Sequence, residues 1–236
     1  MRFNWVVRTD VGRMRDHNED SVWPVEDGTS TETIVVGVAD GMGGHAGGEI
    51  ASFTALETAV TVGGDPAVRI QAANLAVLDA AKERPRLSGM GTTLTLAAFD
   101  PDGDLGVAHV GDSRAYLLRA GDLQQITTDH SYVGEMIATG RLSPIEAETH
   151  PYRSVLTRAV GLDPTVEVDS YAAVLKDGDR VLLCSDGLTT MLRDDAITEI
   201  LMGGDDPGEI ADALVAAAND AGGADNITVV VVDVTE

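Results

Sequence analysis

The sequence predicts an α+β protein in which two antiparallel β-sheets pack face to face as a sandwich, flanked by α-helices in αββα order. Three observations carry this. The apolar runs are short and β-branched, as in Ile34–Ala39, Val181–Ser185 and Ile227–Val234, which is the pattern of buried strands. Strand-like segments come in runs punctuated by helix pairs, without the strict alternation of βαβ units. No internal repeat, low-complexity tract or long linker interrupts the 236 residues, so one domain spanning 1–236 is expected.

Taken in order, strands are expected at about 3–9, 20–25 and 33–40. A helix over about 46–61 places Phe53, Leu56 and Val60 on one face, and a second opens with Asp65 as N-cap and Pro66 at the first helical position, running to about Lys82. Strands resume at about 91–99, 104–111, 113–119 and 122–127. Residues 129–160 break the rhythm; within them Ser143-Pro144-Ile145-Glu146 reads as a capping box starting a short helix. Strands return at about 165–174 and 179–185, Asp206-Pro207-Gly208-Glu209 caps a helix carrying Ile210, Ala213, Leu214 and Ala217, and a strand over 226–234 follows.

Four of these apolar runs meet an aspartate beside a glycine or asparagine: Asp40-Gly41, Gly111-Asp112, Asp186-Gly187 and Asp225-Asn226. Antiparallel neighbours set the C-terminal end of one strand beside the N-terminal start of another, so one rim of the sandwich could hold all four. Carboxylates gathered in one cleft repel unless cations lie between them. With no histidine or cysteine cluster at zinc spacing, the donor set favours hard ions, Mn²⁺ or Mg²⁺. Two such ions form a clamp for hydrolysis at phosphorus, and Arg15 offers a fork for two phosphate oxygens. The glycine-rich stretch from Gly41 to Gly48 lacks the lysine of a P-loop and the spacing of a dinucleotide fingerprint; Gly41 reads as a point of close backbone approach.

The net charge of −23 argues against nucleic acid and anionic membranes as partners. The sole cysteine, Cys184, sits in an apolar run and reads as a packed, inert thiol, so no intramolecular disulfide is expected. No apolar segment reaches the length of a membrane span, the N-terminal residues lack the apolar core of a signal peptide, and the expected location is the cytoplasm.

Eight segments, in order, make the chain resemble bacterial members of the metal-dependent type 2C protein serine/threonine phosphatases. They are Arg15-Asp16-His17-Asn18-Glu19-Asp20, Asp40-Gly41-Met42-Gly43-Gly44-His45, Gly89-Met90-Gly91-Thr92-Thr93-Leu94, His109-Val110-Gly111-Asp112-Ser113-Arg114, Thr128-Asp129-His130-Ser131, His150-Pro151-Tyr152-Arg153-Ser154, Cys184-Ser185-Asp186-Gly187-Leu188 and Gly223-Ala224-Asp225-Asn226-Ile227-Thr228. The resemblance implies a dinuclear Mn²⁺/Mg²⁺ site at one rim of a two-sheet sandwich. Asp40 would bridge the ions, the Gly41 carbonyl would bind one, Asp186 and Asp225 the other, and Glu19 would act through water. Asp112, Asp186 and the Ser154 backbone match the third, weaker ion site of bacterial relatives. Residues 129–155 would be a flap beside the site. Asp20, Ser113 and Arg114 read as supports, Thr92 and Thr93 as structural strand residues, and His109 as a core imidazole.

The implied activity is hydrolysis of phosphoserine and phosphothreonine on proteins by a metal-activated water, without a phospho-enzyme, in a monomer opposing bacterial Ser/Thr kinases. Where animal members carry a histidine after Asp-Gly, this chain has Met42, which cannot donate a proton, so the acid for the leaving group is unassigned. His45 and a metal-bound water are the candidates. Two rival readings fit the same fold: a silent phosphatase-fold module that binds or regulates a partner, opposed by the presence of Asp40, Asp186 and Asp225, and an enzyme acting on a transcriptional regulator, opposed by the lack of an extra sensory domain in this sequence.

Overall fold

A computed structural model describes residues 1–43 and 46–236. One sheet is built from β1 (Arg2–Asp10), β3 (Gly28–Ser30), β8 (Arg114–Arg119), β9 (Asp122–Gln125), β11 (Arg180–Cys184) and β12 (Ile227–Thr235), ordered β3-β1-β12-β11-β8-β9. The other contains β2 (Asp20–Trp23), β4 (Ile34–Met42), β6 (Leu94–Phe99), β7 (Asp104–Val110) and β10 (Asp169–Val174), ordered β10-β7-β6-β4-β2, with the two-residue β5 (Gly91–Thr92) paired to the end of β4. All these pairings are antiparallel. The helices are α1 (Ala46–Thr61), α2 (Pro66–Glu83), α3 (Tyr132–Ala138), α4 (Pro144–Glu148), α5 (Asp186–Thr189), α6 (Asp194–Leu201) and α7 (Pro207–Asp220).

Side-chain alternation along the strands sorts the core into three layers. Phe3, Val7, Val36, Val38, Phe99, Val107, Leu117, Leu183 and Val230 fill the space between the sheets. The opposite face of the first sheet, with Tyr116, Leu182, Val229 and Val231, packs against Leu188, Ile197, Leu201, Ile210 and Leu214 of α5, α6 and α7. Ala39, Leu96, Ala108 and Val110 of the second sheet pack against Ala51, Ala55, Leu56, Ile70 and Val77 of α1 and α2. This is the αββα order the sequence predicts. β12 reads as an unbroken apolar run because both of its faces are covered. Each fully buried valine or isoleucine there contributes about 1.5–3 kcal/mol.

Several local expectations need correction. Phe53 is exposed, because α1 lies against its neighbours through Ala51, Ala55 and Ala59, small residues one turn apart that allow close approach. Ala213 of α7 is likewise exposed; the inward residues are Ile210, Ala211, Leu214 and Ala218. The strand expected at 91–99 is broken at Thr93, whose hydroxyl and amide turn to Asp40 instead of continuing one ladder. The strand expected from 165 begins at Asp169.

Register then fixes the rim. β4 and β7 both run antiparallel to β6, hence parallel to each other, and they finish on the same side. The end of β11 faces the start of β12, with Cys184 opposite Val229 and the Ser185 amide donating to the Thr228 carbonyl at 3.0 Å. Asp20, at the start of β2, pairs directly with Asp40.

Candidate active site: a carboxylate-lined cavity at the sheet rim

A cavity of about 970 Å³ opens at this rim, and its wall includes Arg15, Glu19, Asp40, Gly41, Asp112, Ser154, Asp186 and Asp225. All eight residues singled out from the sequence therefore face one space. A second cavity of about 750 Å³ adjoins it and shares Asp112, Ser154 and Asp186.

Each carboxylate is set by its backbone. The Asp40 carbonyl accepts from the Thr93 amide at 2.9 Å and the Thr92 hydroxyl at 2.8 Å, while the Asp40 amide donates to Thr93 Oγ1 at 2.9 Å. Thr93 Oγ1 also meets Ser113 Oγ at 2.7 Å, next to Asp112. The Gly41 amide donates to the Glu19 carbonyl at 3.1 Å, and a Cβ on Gly41 would lie 2.1 Å from the Gly48 carbonyl oxygen, so only glycine allows this approach. The Glu19 amide donates to Asn226 Oδ1 at 2.8 Å, and Asn226 Nδ2 donates to the Val11 and His17 carbonyls, each at 2.9 Å. Asn226 thereby ties the Arg15–Glu19 loop to the start of β12. Ser185 Oγ donates to Asp20 Oδ2 at 2.8 Å and accepts from the Thr228 amide at 3.0 Å.

The electrostatics are those of crowded acids. Burial first, and then neighbouring carboxylates, push Asp40 and Asp112 well above the usual carboxylate range; Asp186 is raised for the same reasons, and Asp20 rises to about 7. Asp225 is ion-paired to Arg15, with Nη2 2.6 Å from Oδ2. Asp20 Oδ1 and Asp186 Oδ1 are buried without a hydrogen-bond partner. Among the described residues no three of Asp, Glu, His or Cys are drawn into a closed chelate. What the rim presents is an oxygen-only donor set that burial and charge leave unsatisfied, which fits hard divalent cations.

Thr92 and Thr93, read as structural, turn out to hold Asp40, and Asn226 and Ser185 hold the loops behind Glu19 and Asp20. All four were inside recognisable segments, but a threonine pair in a strand carries no sequence signal for an inward hydroxyl. Arg114 pairs with Asp129 at 2.8 Å and donates to Tyr116 OH, so it braces the root of residues 129–155. Met42 lines the cavity, as does His17; His45 lies outside the described residues. Cys184 is a buried free thiol whose pKa burial pushes up to about 12, in keeping with an inert group.

Fold and site together define a class: a four-layer αββα sandwich with a hard-ion carboxylate centre and a guanidinium at one rim. The family model for protein phosphatase 2C matches residues 14–202. The serine/threonine phosphatase stp of Listeria monocytogenes is 41% identical over 239 residues, covering 96% of this chain and 94% of that protein. The crystal structure of the Mycobacterium tuberculosis serine/threonine phosphatase PstP superposes with a TM-score of 0.90 at 39% identity, covering 100% of both chains. That of the PstP catalytic domain in complex with two manganese ions gives 0.88 at 38% identity, covering 100% of this chain and 99% of that one. The chain belongs to the protein phosphatase 2C family.

Proposed function

We propose that this protein is a Mn²⁺- or Mg²⁺-dependent serine/threonine phosphatase that hydrolyses phosphoserine and phosphothreonine esters on proteins. The observation that supports this best is the convergence of Asp40, Asp112, Asp186, Asp225 and Arg15 on one cavity, in a chain that is 41% identical to a serine/threonine phosphatase. Asp40, the Gly41 carbonyl, Asp186 and Asp225 would hold two ions, with Glu19 acting through water; Asp112, Asp186 and Ser154 would hold a third. Bound there, the ions supply an activated water and neutralise the phosphoryl oxygens. The rest belongs to the chain. Arg15, half-exposed, presents its guanidinium to two phosphate oxygens. Ser185 holds the Asp20 carboxyl, and Thr93 anchors the backbone from which the Asp40 side chain projects.

The substrates are phosphorylated proteins, Ser/Thr kinases among them, and the protein acts as a cytoplasmic monomer. Among the described residues no helix is long and apolar enough to cross a membrane. Asp40→Asn should lower kcat for p-nitrophenyl phosphate and for a phosphothreonine peptide by at least about 100-fold in Mn²⁺. A wild-type rate would overturn the reading. Arg15→Ala should raise KM for the peptide by about tenfold or more and lower kcat, since a bidentate charged contact is lost; unchanged kinetics would remove Arg15 from the site.

A further inference from the structure

The segment Thr128-Asp129-His130-Ser131 has no part in the function described so far, yet His130 is 2% exposed and reaches Gly111, at the strand end beside Asp112. Gly111, between the end of β7 and Asp112, has φ +115°, and a Cβ there would lie 2.5 Å from Thr93 Cβ, so the backbone direction at this point depends on glycine. Its amide points out of the ladder and donates to His130 Nδ1 at 3.1 Å. In return the His130 amide donates to the Gly111 carbonyl at 2.7 Å. Two reciprocal bonds thus lock residue 111 to residue 130.

The other side of the ring faces a carboxylate without closing a hydrogen bond to it. Because Nδ1 accepts an N–H, the neutral ring carries its proton on Nε2, which lies 3.2 Å from Asp169 Oδ2. Burial holds the imidazole below its ordinary pKa, which favours this neutral form. Asp169 accepts in turn from Arg158 Nη1 at 2.7 Å, and Arg158 lines the cavity. The His109 ring packs against His130 with centroids 4.7 Å apart, its Nδ1 2.8 Å from Thr95 Oγ1. The Thr157 amide donates to the His130 carbonyl at 2.9 Å, and Ser131 bridges Leu156, so both roots of residues 129–155 meet at this histidine.

We propose that His130 is a positioning residue: its imidazole holds the Gly111 amide, fixes the direction in which Asp112 enters the cavity, and ties that carboxylate to the root of residues 129–155. The proposal deepens the phosphatase reading and rests on it only in assigning Asp112 to the third ion. Outer partners of this kind alter metal affinity by about 10- to 100-fold when removed.

The test uses His130→Ala and His130→Asn, the latter because its amide oxygen can replace Nδ1 as acceptor. Mn²⁺ binding is followed by calorimetry and exchange of the Gly111 amide by hydrogen–deuterium exchange with the metal chelated. His130→Ala should weaken only the weakest class of Mn²⁺ sites, by about tenfold or more, and speed Gly111 exchange. His130→Asn should return both to within about threefold of the wild-type values. Unchanged weak-site affinity and unchanged Gly111 protection in a folded His130→Ala protein would overturn the proposal. Should the alanine variant not fold, the asparagine variant decides: wild-type-like values support the role, and loss of the weak site at a native melting temperature refutes it. Asp112→Ala separates the two readings. If it keeps every Mn²⁺ site, the third-ion assignment fails, and Gly111 exchange alone judges His130.

Discussion

The acidic rim and the segment 129–155 above it are built on opposite principles. At the rim, partners come from far along the chain: Asp20 opposite Asp40, Thr93 on Asp40, Asn226 on Glu19 and Ser185 on Asp20, the last a bond spanning 165 residues. In the segment, α3 is capped by Ser131 and α4 by the Ser143–Glu146 box, both local, and Tyr132, His150 and Tyr152 pack on one another. Ile145 is 74% exposed and Tyr152 56%. The two regions meet at the roots, through Arg114–Asp129 and the His130–Gly111 backbone bond. Chemistry held by long-range pairing stays fixed, while the locally capped α3–α4 stretch beyond the His130 root can vary without moving a carboxylate.

The sharpest way to break this contrast is at Thr93. Thr93→Val removes the hydroxyl that accepts from the Asp40 amide and meets Ser113, leaving both buried partners short. It should cost about 1–3 kcal/mol of stability and about 10- to 100-fold in Mn²⁺ affinity. Urea unfolding and calorimetry read the two effects; a neutral result in both would mean that strand pairing alone places Asp40.

A milder test is pH. Asp20 is raised from 3.8 to about 7, chiefly by burial, so the native state keeps a proton that the unfolded chain releases. Its contribution is fully present below about pH 4 and is lost as pH rises through about 7. In EDTA the Tm should therefore fall over that window, and Asp20→Asn should flatten the fall. Mn²⁺ should reverse it, since cations bind the ionised form. A Tm in EDTA that rises across the window would contradict the crowded-acid account of the rim.

The smallest effect belongs to the upper segment. Ser143→Ala removes the cap of α4 at an exposed position and should cost about 1 kcal/mol locally. Faster amide exchange over residues 143–149 with unchanged p-nitrophenyl phosphate turnover is the expected pair of results. A fall in kcat would show that this segment helps to hold the chemistry.

Much of the rim was legible because its signals are local and chemical. An apolar run ending in aspartate and a small residue announces a strand end that meets water, and Asp65-Pro66 and Ser143-Pro144 announce helix starts by their caps. What stayed hidden depends on partners distant in sequence. β3 is only Gly28-Thr29-Ser30, turn-forming residues that pair because β1 lies beside them. α3 follows an irregular-looking stretch, and α6 opens with Asp194-Asp195 and no side-chain cap. Phe53 looked like core because of its type, yet the alanine stripe decided which face of α1 packs. The inward hydroxyl of Thr93 could be known only once β4 and β6 were side by side.

The measurement that bears most directly on the account is anomalous diffraction at the manganese edge from crystals grown in Mn²⁺. Two strong peaks between Asp40, Asp186 and Asp225, with Asp40 touching both, are predicted, with Arg15 freed from Asp225 or shared with a bound anion. Manganese sited elsewhere, or an Arg15–Asp225 ion pair that persists with no metal between the carboxylates, would contradict it.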